Sequence, residues 1–124
     1  MKPYGLSDKK GIVRFVAGRE SSHIASENEQ NAELQTIETV TLDEALKGER
    51  VTFIKMDIEG AEYDALKGAQ RIISEQKPRL AISIYHDADH IVTIPKLLLS
   101  MRPDYSFRIR HYGLLAYETI LYAH

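Results

Sequence analysis

Apolar residues in this chain follow two kinds of spacing, and the switches between them mark its elements. Val51-Thr52-Phe53-Ile54-Lys55-Met56-Asp57-Ile58 is nearly continuously apolar, the pattern of a central parallel strand buried on both faces. From Ala61 to Gln76 the spacing turns helical, with Ala65, Leu66, Ala69, Ile72 and Ile73 in one stripe. Glu62 and Asp64 stand in its first turn, where the helix dipole favours acids, and Pro78 stops it. Leu80-Ala81-Ile82-Ser83-Ile84-Tyr85 is a second buried strand. Strand, helix and strand within about 35 residues make a βαβ unit, expected to cross over right-handed. After a turn at His86–Asp89, a helix should run to about Met101, with Ile91, Ile94, Leu97 and Leu98 inward and Pro95 in its first turns. Tyr105 to His111 alternates strictly, and Tyr117 to Ala123 forms the last strand. Gly113 lies between them, so the two should pair as an antiparallel hairpin.

The first part of the chain is more polar. Ile12–Val16 and Thr36–Val40 read as short strands. Between them, Arg19 to Gln35 holds only Ile24 and Leu34 as large aliphatics and reads as a long loop. Thr41-Leu42-Asp43-Glu44 is a capping box that starts a short helix ending at Gly48. The sum is an α/β fold, a partly parallel sheet closing with a C-terminal antiparallel hairpin.

Composition narrows the function classes. A chain of 124 residues, 44% hydrophobic and 27% charged, is expected to form a single globular domain over residues 1–124. A net charge of -2 gives no electrostatic ground for nucleic acid or an anionic membrane. The absence of cysteine excludes a disulfide scaffold, a cysteine-ligated metal and a thiol nucleophile. No apolar run approaches the ~18 residues of a membrane span. Met1-Lys2-Pro3-Tyr4-Gly5 has no apolar segment behind its lysine, so no signal peptide is expected and the cytoplasm is the expected compartment.

In open parallel sheets, ligands bind beyond the carboxyl ends of the strands. That rule selects Asp57, Glu59 and Gly60 after one strand, and His86, Asp87 and Asp89 after the next. Carboxylates there can orient a substrate hydroxyl or ammonium, one of them as general base. Against this, Glu59 and above all Glu62 can simply complement the helix N-terminus. His86, at a strand end, is a candidate substrate or proton-transfer group. Tyr85-His86-Asp87-Ala88-Asp89-His90 has residue types that suit a metal. No pair has the His-x-x-x-His spacing of a helical zinc site, and an aspartate is needed to cap the next helix, so no metal is expected.

Phe53-Ile54-Lys55-Met56-Asp57-Ile58-Glu59-Gly60-Ala61-Glu62, then Leu66-Lys67-Gly68-Ala69, Lys77-Pro78 and Leu80 to His86 resemble the FkbM family of S-adenosylmethionine-dependent methyltransferases. Further matches are Gly5 to Gly11, Thr41-Leu42-Asp43-Glu44, Ile94-Pro95, Asp104 to Phe107, Arg110-His111 and Glu118 to Ala123. The resemblance implies a Rossmann-like methyltransferase sheet with S-adenosylmethionine as cofactor of the intact domain. Within it, Asp57 matches the acid after the fourth strand, near the transferred methyl, and Glu59 the next acid of the motif. Ser7 and Asp8 match the end of the third strand, where the family would approach the adenine, and His86 matches the histidine after the fifth. The implied catalytic set is Asp57, Glu59 and His86; the implied cofactor-binding set is Ser7, Asp8 and Asp57.

One feature departs from such enzymes. No two of the seven glycines form the Gly-x-Gly of a cofactor-cradling turn. The chain therefore resembles the C-terminal part of the family domain, and weak or no cofactor binding is expected of it alone. The expected activity is methyl transfer to the hydroxyl of a small molecule or sugar. The alternative is a non-catalytic binding or assembly fragment that needs a partner to complete the fold. A first strand would pair beside Val51–Asp57, and without one that strand is a sheet edge, so self-association through it is expected.

Overall fold

The computed structural model describes residues 4–16, 23–24, 34–115 and 117–124. In chain order the strands are β1 (Gly5–Leu6), β2 (Gly11–Val16), β3 (His23–Ile24), β4 (Leu34–Val40), β5 (Phe53–Met56), β6 (Arg79–Ser83), β7 (Phe107–His111) and β8 (Thr119–Ala123). The helices are α1 (Leu42–Ala45), α2 (Glu62–Lys67), α3 (Gln70–Gln76) and α4 (His90–Met101). The strands make two sheets, ordered β1-β4-β2-β3 and β5-β6-β8-β7.

The second sheet follows the sequence closely. β5 and β6 are parallel neighbours, with Ile54 opposite Leu80 and Met56 opposite Ile82. β8 pairs antiparallel with β6 and with β7, so the sheet closes with the expected hairpin. Along this register Ile54, Met56, Leu80, Ile82, Leu121 and Ala123 share one face. They join Ala65, Leu66, Ala69, Ile72 and Ile73 of the crossover and Ile94 and Leu98 of α4 in a single core.

That core lies on one face only, which corrects the expectation for β5. Its positions alternate exposed and buried: Phe53 is 56% exposed, Ile54 8% and Met56 2%. The helices cover the Ile54 side, and Phe53 and Lys55 point the other way. β5 is the terminal strand of its sheet among the described residues, as the edge argument expects. In α4 the buried row is His90, Ile94 and Leu98, one residue every turn, while Ile91 is 50% exposed, contrary to its expected inward position. Pro95 lies inside the helix.

The polar first part forms a sheet of its own rather than extending the other one. β2 and β4 pair antiparallel over six positions, from Gly11 opposite Thr39 to Val16 opposite Leu34. β1 adds parallel to the free side of β4, so both its ladders are used. The expected loop from Arg19 to Gln35 contains β3 and the start of β4; residues 17–22 and 25–33 lie outside the described residues.

The expected single helix over 61–76 is two helices, broken at Gly68-Ala69. The break is fixed by α1. Thr41 Oγ1 accepts from the Glu44 amide at 3.1 Å, which starts α1. The Asp43 amide then donates to the Gly68 carbonyl at 2.9 Å. The Asp43 carboxylate accepts from the Arg71 and Ile72 amides at 2.8 and 3.0 Å, satisfying the first-turn N–H groups of α3 that no helical carbonyl can reach. Gly68 also packs against the first sheet, and a Cβ there would overlap the Ser7 carbonyl oxygen.

The far ends of α3 and α4 are clamped by charge. Lys77 closes α3 in the left-handed conformation at φ 47°. Its Nζ lies 3.0 Å from Asp104 Oδ2, and Arg102 Nε lies 2.7 Å from Asp104 Oδ1. Arg102 also donates to the Ser74 carbonyl at 2.8 Å. Beneath this clamp, Tyr105 is buried and donates to the Pro78 carbonyl at 2.6 Å; burial pushes its phenol up to about 12.

Two outcomes are expected. Gly68→Ala should cost about 2 kcal/mol or more, since backbone must move to admit the methyl group; urea denaturation reads this as a lower midpoint. The hydrogen bonds from Arg102 and Lys77 hold the Asp104 carboxyl down at about 2, from 3.8. A carboxyl depressed in the folded state stabilises above its unfolded value, and that contribution is lost as pH falls from about 4 to about 2. Asp104→Asn should therefore flatten the acid limb of the stability curve in that window, measured by thermal melts across pH.

Candidate active site

Beyond the carboxyl end of β5 the chain makes a tight turn. Ala61 N–H donates to the Ile58 carbonyl at 3.2 Å, and the two residues between, Glu59 and Gly60, have φ of 55° and 99°. Two consecutive left-handed residues are the pattern of a type I′ turn. Glycine takes this conformation freely; glutamate does so at a cost of about 1 kcal/mol. The turn sets Glu59 beside the next strand end instead of letting it run on into α2.

Glu62, the first residue of α2, is fully buried. Its Oε1 accepts from the Ile58 amide at 2.9 Å and lies 3.1 Å from His86 Nδ1. Its Oε2 has no hydrogen-bond partner and faces His90 Nδ1, also buried and unpartnered, at 3.8 Å. Its place in the first turn suits Glu62 to the helix dipole, but in the fold it is the buttress of the site. The clue lay in spacing: Ile58 and Glu62 are four apart across a strand-to-helix turn, where a side chain can reach back to a free amide.

His86, on the turn after β6, is largely enclosed, its side chain 10% exposed. With Nδ1 against Glu62, its Nε2 faces Asp57 Oδ1 at 3.5 Å and Glu59 Oε2 at 3.4 Å. The Tyr85 ring lies against the imidazole, centroids 4.1 Å apart and planes tilted by 37°, and its hydroxyl donates to Asp57 Oδ1 at 3.3 Å. Partial burial, then the neighbouring Asp57 charge, raises the Tyr85 phenol above its ordinary value. Asp57, Glu59 and His86 thus meet at one end of the sheet, where the sequence put them. One ligand atom from each of Asp57, Glu62 and His86 lies within 4.8 Å of the others.

Ser7 and Asp8 lie elsewhere. Asp8 pairs with Lys67 at 3.2 Å, which lowers its carboxyl below the usual range, and Ser7 donates to Asp8. Asp8 lines a cavity with Lys67, Gln70, Leu97, Ser100 and Met101. That cavity adjoins the last turns of α4, whereas His90 beside Glu62 begins the helix. About eleven residues at ~1.5 Å each separate the two ends.

The Methyltransferase FkbM domain profile matches residues 2–109. The chain belongs to the FkbM methyltransferase family. The crystal structure of methyltransferase FkbM from Methylobacillus flagellatus KT superposes with a TM-score of 0.74 at 35% identity. The match covers 98% of this chain and 27% of that one, so the chain spans about a quarter of the relative's length. No curated protein sequence matches it.

Methyltransferases of this kind generally draw on S-adenosylmethionine. No two glycines of the chain form the Gly-x-Gly of a turn that would cradle it. Beside Gly60, at the site, there is room: a Cβ there would meet only the His86 Cβ, at 3.8 Å. Asp57 is the one implied cofactor residue at the site, and Ser7 and Asp8 belong to a different surface.

Glu59→Gly should leave stability unchanged within about 1 kcal/mol, because relief of the left-handed backbone offsets the chain entropy that glycine adds. Glu62→Ala should cost about 2 kcal/mol or more, since it orphans the Ile58 amide and His86 Nδ1 together. Chemical denaturation of the two variants separates the acid that shapes the site from the acid that faces outward.

Proposed function

We propose that this chain supplies the acceptor side of an S-adenosylmethionine-dependent methyltransferase acting on a hydroxyl of a small molecule or sugar. One observation carries this reading: two half-exposed carboxylates converge on the outward nitrogen of an enclosed histidine, whose other nitrogen rests on a buried glutamate. Such a constellation binds a hydroxyl and takes its proton. Asp57 orients the O–H, and the proton passes to Glu59 or to His86 Nε2. Glu62 holds the imidazole in place, and its Ile58 hydrogen bond ties that orientation to the strand end. Removal of the proton leaves an oxygen nucleophile, and positioning supplies most of what methyl transfer then needs.

The lack of a Gly-x-Gly turn in the chain favours one further element of this reading. In this reading the glycine-rich cradle of the cofactor is supplied from outside this chain, Asp57 reaches the transferred methyl from the strand end, and the acceptor chemistry is carried here. Calorimetry of this chain with S-adenosylmethionine is expected to give no saturable heat. Binding with Kd of about 1 μM would require a cradle here and overturn that division.

In the intact enzyme, assayed by radiolabelled methyl transfer to sugar or polyol acceptors, Asp57→Asn and His86→Gln should each lower turnover on the order of 10²-fold. Thermal melts of the same variants should stay close to the parent for Asp57→Asn. Unchanged turnover in that variant removes Asp57 from the chemistry. Loss of turnover in step with loss of folded protein makes the cluster structural, and the chain an assembly fragment.

A further inference from the structure

The cluster carries more negative charge than its neighbours balance. Asp57, Glu59 and Glu62 surround a single imidazole, and among the described residues their ion-pair contacts are all with His86 and His90. Glu62 is fully buried, with one carboxylate oxygen unpartnered and facing a second unpartnered buried atom, His90 Nδ1. Taking a carboxylate out of water costs several kcal/mol unless it is paired or coordinates a metal. Buried polar atoms left without partners in a native fold point to a water or an ion that completes them.

We propose that Asp57, Glu62 and His86 form a binding site for a divalent first-row metal ion. Their ligand atoms lie within 4.8 Å of one another. Neighbouring ligands of one ion at about 2.1 Å stand about 3.0–3.4 Å apart; Glu62 Oε1 and His86 Nδ1, 3.1 Å apart, already have that spacing, and Asp57 would have to swing in by about 1 Å or more to join them. The movable member is Asp57, whose side chain is 49% exposed; Glu62 and His86 are held. Two carboxylates and one imidazole suit Mn²⁺, Fe²⁺ or Zn²⁺. Three protein ligands leave positions open, as at a catalytic rather than a structural site. Glu59, half-exposed, lies beside the three, 3.4 Å from His86 Nε2.

The ion's role, unlike the site, rests on the methyl-transfer reading. An acceptor hydroxyl bound to the ion becomes more acidic. Its O–H bond breaks with the proton forming a new O–H bond on Glu59, which leaves the electron pair on the acceptor oxygen. With His86 occupied by the ion, Glu59 becomes the base.

The test uses the whole chain, stripped with a chelator and titrated with MnCl₂ near neutral pH. Isothermal titration should show one ion per chain. Asp57→Asn and His86→Gln should each weaken binding by about tenfold or more, while Asp104→Asn, far from the site, leaves it unchanged. In proton NMR, Mn²⁺ should broaden the ring signals of His86 and His90 at ratios that leave His111 and His124 sharp. No saturable binding below about 1 mM would overturn the site. So would binding that His86→Gln leaves intact, or broadening centred on another histidine. Because Asp57 is exposed, its variant remains informative if a change at Glu62 prevents folding. Ion binding without methyl transfer would leave the site standing and remove only its assigned role.

Discussion

A buried carboxylate governs this end of the molecule. Glu62 accepts the Ile58 amide, which fixes how the chain leaves β5, and it supports His86, which fixes how the chain leaves β6. It also faces His90, the first residue of α4. Three successive element junctions are therefore referred to one side chain. An apolar residue there would pack as well, but it would leave the Ile58 amide and His86 Nδ1 without partners in a water-poor interior. The type I′ turn that brings Glu59 round depends on the same anchor, because its first carbonyl belongs to Ile58.

Much of the second sheet could be read from the sequence, because apolar runs and a helical stripe are direct records of burial. The β5–β6 parallel pair, the closing hairpin and the meeting of Asp57, Glu59 and His86 all follow from that record and from the rule about strand ends. Three things did not follow. The two-sided burial expected of β5 failed because an apolar run reports what could be covered, not what covers it: among the described residues no helix lies above Phe53. The break at Gly68 was hidden because its cause, Asp43, is far away in sequence. Ile91 was placed inward by spacing alone, whereas the row that packs is His90, Ile94 and Leu98, with a histidine at its head.

The motif residues divide into two surfaces with different physics. At the strand ends, acidic groups are concentrated around one enclosed imidazole, and the nearby tyrosine keeps its proton more firmly than usual. At the other end of α4, Asp8 is neutralised by Lys67 and the walls include Leu97 and Met101. The first surface is arranged to handle charge and protons. The second is a mixed polar and aliphatic hollow whose one acid is already paired.

The Asp43 junction has a consequence for how the chain reaches this structure. The contacts that start α3 come from a residue 28 positions upstream, and those that end α2 come from the same short helix. Neither half of the crossover is complete until α1 has docked, and α1 cannot dock without closing a loop of that length around the whole of β5. The first sheet delivers Ser7 to the same spot, against Gly68. Helix formation in the crossover is thus not a local event that precedes assembly. It waits on a long-range closure, which raises contact order and makes the two sheets fold as one cooperative unit.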